Sequence, residues 1–202
     1  MDYVKKYLNT ASDISLTIDA DKILSMVNAF DTLRTSQGRL FILGVGGSAG
    51  NASHAVNDFR KICGLESYAP TDNVSELTAR INDDGWSSVF TSWLKVSNFR
   101  KNDALLILSV GGGDLERKIS ENIVEAIKLS KEIGAKTFGI VGRSDGFTAK
   151  NADICIVIPE LNQDMITPLS ESFQAIVWHL IATHPILKTR QTMWESQGRT
   201  NV

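Results

Sequence analysis

The sequence predicts an α/β fold in which a doubly wound parallel sheet carries helices on both faces and is preceded by N-terminal helices. Short apolar runs alternate with segments of helical periodicity along most of the chain. Two of these runs end in loops rich in glycine and serine, and each loop leads into a helix. The length of 202 residues suits one core, so we predict a single domain over 1–202.

The elements follow one another in a regular order. Residues 1–37 predict one or two helices, an α/β core follows at 38–189, and 190–202 read as a polar tail. Strands are predicted at 39–44, 104–108, 136–141 and 154–158, where the runs are short and apolar. Helices are predicted from the first loop to about 63, at 72–81, 86–96 and 120–133, after the turn 142–146, and from 167 to 187, with a polar turn at 82–85.

Composition excludes several classes of protein. The net charge of −2 argues against a nucleic-acid partner, because such domains usually carry a basic face. No apolar run approaches the length of a membrane span, and the N-terminus has no apolar core of a signal peptide. Cys63 and Cys155 sit in apolar runs without metal-ligand spacing, which favours buried free thiols. We therefore expect a cytoplasmic protein without membrane or nucleic-acid partners.

The two glycine loops, at 44–50 and 109–113, indicate an anion site. In open parallel sheets ligands bind at the carboxyl ends of strands, and the start of the following helix offers free N–H groups to an anion. The alternative is that both loops are only tight turns between strand and helix. The first loop also fits a loose dinucleotide pattern through Gly44, Gly46 and Ala49. Glu66 has the spacing of the acidic partner, but it would begin rather than end an extended segment.

The histidines give the second indication of chemistry. His54 lies one helical turn before Asp58, so the two share a face and could hold a metal or form a polar pair. Glu171 and His179 are eight residues apart on the last long helix, again near one face. Apolar neighbours of His179 leave open that it is a buried structural histidine. His184 precedes a proline and is predicted to cap that helix.

The order of these motifs resembles that of the phosphoheptose isomerases, which have the sugar isomerase (SIS) fold. The run G-V-G-G-S-A-G-N-A-S-H at 44–54 is similar to the family's G-N-G-G-S-x-x-x-A-x-H. N-D-D-G at 82–85 resembles its N-D-x-G segment, and the loop that starts at Ser109 resembles its serine-rich phosphate loop. A-D-I at 152–154 with I-P at 158–159 is similar to its fourth strand, and V-W-H at 177–179 falls at its active-site histidine.

The resemblance implies a homotetramer, with sites near subunit interfaces, that converts sedoheptulose 7-phosphate to D-glycero-D-manno-heptose 7-phosphate for surface glycans. In that reaction a base removes the proton α to the carbonyl and an acid protonates the carbonyl oxygen, which gives a cis-enediol. The implied catalytic residues are Asp58, His179 and Glu171, and the implied zinc ligands are His54, Asp58, Glu171 and His179. The implied substrate- and phosphate-binding residues are Val45, Gly46, Gly47, Ser48, Asn82, Asp83, Ser109, Val110, Gly111 and Ser120.

The chain departs from the family at four places. Asp58 replaces a glutamate and Glu171 replaces a glutamine, and our hypothesis is that Glu171 compensates by sharing the role of the base. The second loop lacks the family's hydroxyls and is about six residues longer. We predict that Ser120 is an N-cap and phosphate ligand, and that Asp114 turns outward or binds a sugar hydroxyl. Val45 stands where the family has asparagine.

Three other functions remain open at this point. The altered loops are compatible with a SIS isomerase for another sugar phosphate. A non-catalytic SIS protein that binds a partner is the second alternative, and a nucleotide-dependent oxidoreductase is the least favoured. Four polar residues on two helices favour the enzyme, because a scaffold has no need of them.

Overall fold

A parallel sheet of five strands lies at the centre of the structure, a computed structural model that describes residues 2–196. The strands are β1 Leu40–Gly44, β2 Ser67–Tyr68, β3 Ala104–Ser109, β4 Lys136–Val141 and β5 Ile154–Val157. Their spatial order is β2-β1-β3-β4-β5, and each neighbouring pair is parallel. The predicted doubly wound sheet is confirmed. The prediction of four strands missed β2, because two residues carry no readable periodicity.

The helices are, in chain order, α1 Tyr3–Thr17, α2 Ala20–Thr35, α3 Gly47–Lys61, α4 Val74–Asp84, α5 Val89–Val96, α6 Glu121–Ile133, α7 Phe147–Asn151, α8 Ile166–Thr183 and α9 Met193–Ser196. The predicted turn at 82–85 is wrong, because 82–84 form the last turn of α4 and Gly85 ends it with φ +86°. Of the predicted polar tail, 193–196 form α9 and 197–202 lie outside the described residues.

Both faces of the sheet are covered, so alternate side chains of each strand enter two different cores. On one face Leu40 and Ile42 pack with residues of α2, α3 and α8, including the fully buried Trp178. On the other face Phe41 and Leu43 pack with residues of α5 and α6. This two-sided burial explains why β1 and β3 are apolar along their whole length.

The two cysteines lie in the core as free thiols, as predicted. Burial raises the pKa of both Cys63 and Cys155 to about 11, so both are protonated at neutral pH. Among residues 2–196, no helix combines the length and the apolarity that crossing a bilayer would require.

Helices α3 and α8 lie side by side and run in the same direction. Near their first turns, the Asn51 side chain donates to the backbone oxygen of Glu171 over 2.9 Å. At their far ends, the Cys63 thiol donates to the backbone oxygen of Ala182 over 3.2 Å. These two hydrogen bonds hold one face of α3 against one face of α8, from the second turn of α3 to the residues just after its end.

Candidate active site

The two glycine loops meet at the point where the sheet changes winding direction. Gly44 at the end of β1 lies opposite Leu108 of the neighbouring β3. From β1 the chain moves to β2 on one side, whereas β3 leads to β4 and β5 on the other. The carboxyl ends of strands at such a reversal form the usual crevice for ligands in open α/β sheets. The two loops that the sequence singled out therefore lie side by side at this edge of the sheet.

The first loop leads directly into α3. No side chain caps the N-terminus of this helix, because the N-cap residue is Gly46. Gly46 has φ +63°, which favours glycine, and its backbone oxygen accepts from the N–H groups of Ala49 and Gly50. Ser48 is buried and Val45 is half-buried. The partial positive charge at the start of α3 therefore faces the crevice beside an exposed glycine turn.

The second loop is fixed to the start of α7. The backbone oxygen of Gly112 accepts from the Thr148 N–H and hydroxyl, and that of Gly113 accepts from the Phe147 N–H. The Ser109 hydroxyl accepts from the Gly112 N–H over 2.9 Å. The backbone oxygen of Val110 accepts from the Gly142 N–H over 2.9 Å, so backbone bonds hold the loop at both ends, and Val110 and Gly111 are both half-buried.

Two sequence predictions about the end of this loop have different outcomes. Ser120 does precede α6, but its backbone is left-handed with φ 51°, and its side chain caps nothing. The predicted capping bond is wrong, because an N-cap side chain reaches the first turn from an extended backbone. Asp114 turns away into its own loop, where its Oδ1 accepts from the N–H groups of Glu116 and Arg117 over 2.9 Å each.

Asn82 and Asp83 lie in the last turn of α4. Both are exposed at the end of α4, where the Asn82 amide donates to the Asp83 carboxylate over 2.8 Å. Within residues 2–196 neither side chain hydrogen-bonds to a glycine loop. Their role in substrate binding stays a prediction.

Asp58 lies between two histidines. Its Oδ2 is 3.9 Å from His54 Nε2 and 3.6 Å from His179 Nε2. One ligand atom from each of the three residues lies within 4.8 Å of the others. The Asp58 side chain is only 12% exposed, whereas those of His54 and His179 are 58% and 46% exposed. The apolar neighbours of His179 left open that it is a buried structural histidine. Its exposure shows that it is not.

The donor set of this group suits zinc. Two imidazoles and one carboxylate are ligands found in catalytic zinc sites, which keep a fourth position for water or substrate. The Asn57 amide donates to Asp58 Oδ1 over 2.8 Å, so the carboxylate keeps Oδ2 for the side between the imidazoles.

Trp178 and Asn51 are parts of the site that the sequence analysis did not identify. The ring of Trp178 stacks beside His179 at 3.6 Å between centroids and meets His54 edge-on at 4.7 Å. Asn51 bonds α3 to α8 one turn before His54. The signal for Asn51 was its helical spacing of three from His54, whereas nothing in the sequence separated Trp178 from an ordinary core aromatic residue.

Glu171 is not brought into the histidine group. Eight residues of helix separate it from His179, a rise of about 12 Å along α8. Its carboxylate lies against Gly47 instead, so close that a methyl group added at Gly47 would overlap it. The structure thus joins three of the four predicted zinc ligands and gives no geometric support to a base role shared between Glu171 and Asp58.

Comparison with known proteins agrees with the fold and the motifs, although no family model matches the chain. A phosphoheptose isomerase of Aneurinibacillus thermoaerophilus is 28% identical over 89% of this chain and 90% of its own length. A probable phosphoheptose isomerase of Thermoplasma acidophilum is 29% identical over 88% of this chain and 94% of its own. The solved phosphoheptose isomerase of Francisella tularensis superposes with a TM-score of 0.77 at 21% identity, covering 90% of this chain and 95% of that one.

The predicted resemblance is confirmed by similarity that extends over nearly the whole of these chains. Two independent kinds of comparison, by sequence and by structure, agree on it. The chain is a relative of the phosphoheptose isomerases, and its fold is the SIS fold.

Proposed function

We propose that this protein is a sugar-phosphate isomerase that interconverts an aldose and a ketose by proton transfer. The observation that carries the proposal is the group of Asp58, His54 and His179 on α3, which begins at the first glycine loop, and on the neighbouring α8. The relatives named phosphoheptose isomerase support the same class of reaction.

The spacing of the site suits an extended sugar phosphate. Seven residues of α3 separate Gly47 at the loop from His54, a rise of about 10 Å. A linear sugar of several carbons spans such a length, with its phosphate at the loops and its carbonyl end at the histidine group. A short substrate such as a triose phosphate would leave one end of this crevice unfilled.

The proton transfer would be carried by Asp58 and His179. One group removes the proton from the carbon next to the carbonyl, and the other protonates the carbonyl oxygen to give the enediol. Return of the proton to the neighbouring carbon completes the exchange. The 3.6 Å between Asp58 Oδ2 and His179 Nε2 supports this division, because both groups reach one pair of adjacent carbons.

His54, Asp58 and His179 would hold the zinc ion that we propose as cofactor. The ion would occupy the same side-chain groups, so the proton transfer by Asp58 and His179 belongs to the site without the ion. A bound zinc ion would polarise the carbonyl oxygen of the sugar. The Trp178 ring, which contacts both imidazoles, would keep them oriented toward the ion.

The proposed substrate is sedoheptulose 7-phosphate, converted to D-glycero-D-manno-heptose 7-phosphate in the cytoplasm for the synthesis of surface glycans. Support comes from the similarity to proteins named phosphoheptose isomerase and from the rise of about 10 Å between Gly47 and His54. A homotetramer with sites near subunit interfaces belongs to the same proposal. Single-domain organisation over 1–202 is also proposed.

The experiment is isomerisation of sedoheptulose 7-phosphate by the purified protein, with and without added zinc, followed by appearance of the aldose. We expect turnover in the native protein and a loss of at least about 100-fold in kcat for His179→Ala. His184→Ala is the matched control, because His184 ends α8 outside the group and should leave turnover unchanged. Equal loss in both variants would contradict the assignment of His179.

An isomerase for another sugar phosphate is the second candidate, and the second loop favours it. Val110 and Gly111 carry no hydroxyl, and the Ser109 hydroxyl is already engaged with the Gly112 N–H. Thermal stabilisation by a different sugar phosphate, without turnover of the heptulose, would select this candidate. No response to any sugar phosphate would select the non-catalytic binding protein.

A further inference from the structure

A cavity of about 470 Å³ lies at the edge of the sheet opposite the glycine loops. It is formed between α2 and the segments where β3, β4 and β5 begin. Strand β3 has six residues, so about 20 Å separates this cavity from the crevice at the carboxyl ends of the strands. Pockets of this volume are large enough to hold small organic molecules.

The inner wall of the cavity is apolar. Leu33 of α2, Ala104 of β3 and Phe138 of β4 line it, and all three side chains are buried. Ala29 of α2 and Ile154 of β5 also line it and are half-buried. A ligand with an apolar body would remove this surface from water, which favours binding.

The two carboxylates at the cavity already have partners. The Asp103 side chain is fully buried, and both of its oxygens accept from the guanidinium of Arg39, over 3.1 and 2.7 Å. Asp153 accepts from the Lys136 ammonium over 2.5 Å and from the Thr137 N–H over 2.9 Å. Each carboxylate at the cavity is therefore neutralised by a basic side chain of the protein.

Lys101 adds a positive charge that these pairs do not use. It lines the cavity and is exposed, and within the part of the chain that the structure describes its ammonium group forms neither a hydrogen bond nor an ion pair. An anionic group that entered the cavity would meet this ammonium without having to displace a carboxylate. The cavity thus combines an apolar wall with one available cation.

We infer that this cavity is a second binding site, which takes a small organic anion with an apolar body. The apolar part of the ligand lies against Leu33, Ala104 and Phe138, and its carboxylate pairs with Lys101. The site is independent of the proposed function, because none of its lining residues belongs to the histidine group or to the glycine loops. The ligand class is an amphipathic monocarboxylate.

The test is a titration of the native protein with hexanoate, a monocarboxylate with a short apolar chain. Thermal stabilisation is measured against hexanoate concentration at constant ionic strength, and the rise in Tm should reach saturation. Acetate carries the same charge without the apolar chain, so it should bind at least about tenfold more weakly.

Two variants test the two parts of the site. Lys101→Met keeps the length of the side chain and removes its charge, so the affinity for hexanoate should fall about threefold to fivefold. Lys95→Met is the matched control, because Lys95 is an exposed lysine of α5 outside the cavity, and it should leave the affinity unchanged. Ala29→Trp fills the cavity with a large ring and should abolish the saturable stabilisation.

Several results would overturn the inference. These are the lack of a saturable response to hexanoate, an equal response to acetate, and an unchanged affinity in Lys101→Met. A smaller particle for Ala29→Trp in light scattering would also overturn it, because the cavity would then be covered by a second copy of the chain. Lys101→Met changes only an exposed side chain, so it decides the test if Ala29→Trp does not fold. Lack of heptulose turnover would refute the proposed substrate and would leave this titration valid.

Discussion

A single carboxylate, that of Asp58, contacts both imidazoles of the candidate site. It belongs to a side chain one methylene shorter than the glutamate of the family that the motifs resemble. Its Oδ1 is bonded to Asn57, and its Oδ2 faces the two histidines. The short side chain still reaches both histidines, because α3 and α8 lie close together here.

Asp58→Asn should abolish isomerisation while the protein remains folded. The amide keeps the shape of the side chain but neither accepts a proton from carbon nor carries the charge that pairs with the histidines, so we expect kcat to fall at least about 100-fold. Asp58→Glu restores the charge and should retain more activity than the amide variant. Steady-state kinetics with sedoheptulose 7-phosphate, together with circular dichroism, makes the comparison, and an active Asp58→Asn variant would refute the assignment.

At the scale of single residues, the sequence predicted which side chains share one face of a helix. His54 and Asp58 are four apart on one helix, so their common face followed from periodicity. Their approach to His179 depends on how α3 packs on α8, which only the resemblance indicated. The location of Glu171 could not be predicted, because it follows from the missing side chain at Gly47 and from a bond between Asn51 and backbone.

Helices α3 and α8 depend on an arginine of a third helix at their far ends. Arg34 on α2 donates to the backbone oxygen of Cys63 over 3.0 Å and to that of Leu187 over 2.7 Å. It also donates to the backbone oxygen of Ile186 over 3.1 Å. These carbonyl groups follow the last turns of α3 and α8, where helices leave acceptors unpaired. One guanidinium thus joins three segments that are distant in sequence.

Arg34→Ala should lower the free energy of unfolding by about 2–4 kcal/mol, because two part-buried carbonyl groups and an exposed one lose a charged donor. Urea unfolding followed by circular dichroism measures the change. Lys128→Ala is the control, since Lys128 is exposed and pairs with the exposed Glu125, and it should change stability by less than about 0.5 kcal/mol. Equal stability of the two variants would show that Arg34 does not join these helices.

At the scale of elements, the long apolar strands and the helices after the glycine loops were predictable, whereas their ends were less so. Helix α4 runs through the polar residues 82–84, because side chains that favour turns also tolerate the exposed last turn of a helix. The short β2 pairs with β1 through only two residues, and its formation depends on the tertiary structure.

The whole molecule exposes apolar side chains around the candidate site. Ile176 and Leu180, which flank His179 on α8, are 51% and 43% exposed. Tyr3, Val4 and Leu8 of α1 are exposed as well. Such side chains occur singly on most surfaces, but the position of Ile176 and Leu180 next to His179 supports the proposed interfaces between subunits.

Leu180→Lys should weaken the proposed tetramer, because it would place a charge in an apolar interface. Light scattering should give four times the chain mass of 22.2 kDa for the native protein and a smaller particle for the variant. Leu161→Lys, another exposed leucine outside α8, is the control and should leave the particle mass unchanged. A native protein of single-chain mass would contradict the proposed assembly.

Because α3 and α8 run in the same direction, recognition of the sugar and the proposed proton transfer would take place at different points along one crevice. The bond from Asn51 holds the helices together near the loops, and the Cys63 thiol and Arg34 hold them at the opposite end. The histidine group lies between these attachments. Substitutions at the loop end could therefore alter which sugars are accepted while the reacting groups keep their alignment, so that a lineage with this helix pair could diversify its substrates without inventing a new reaction.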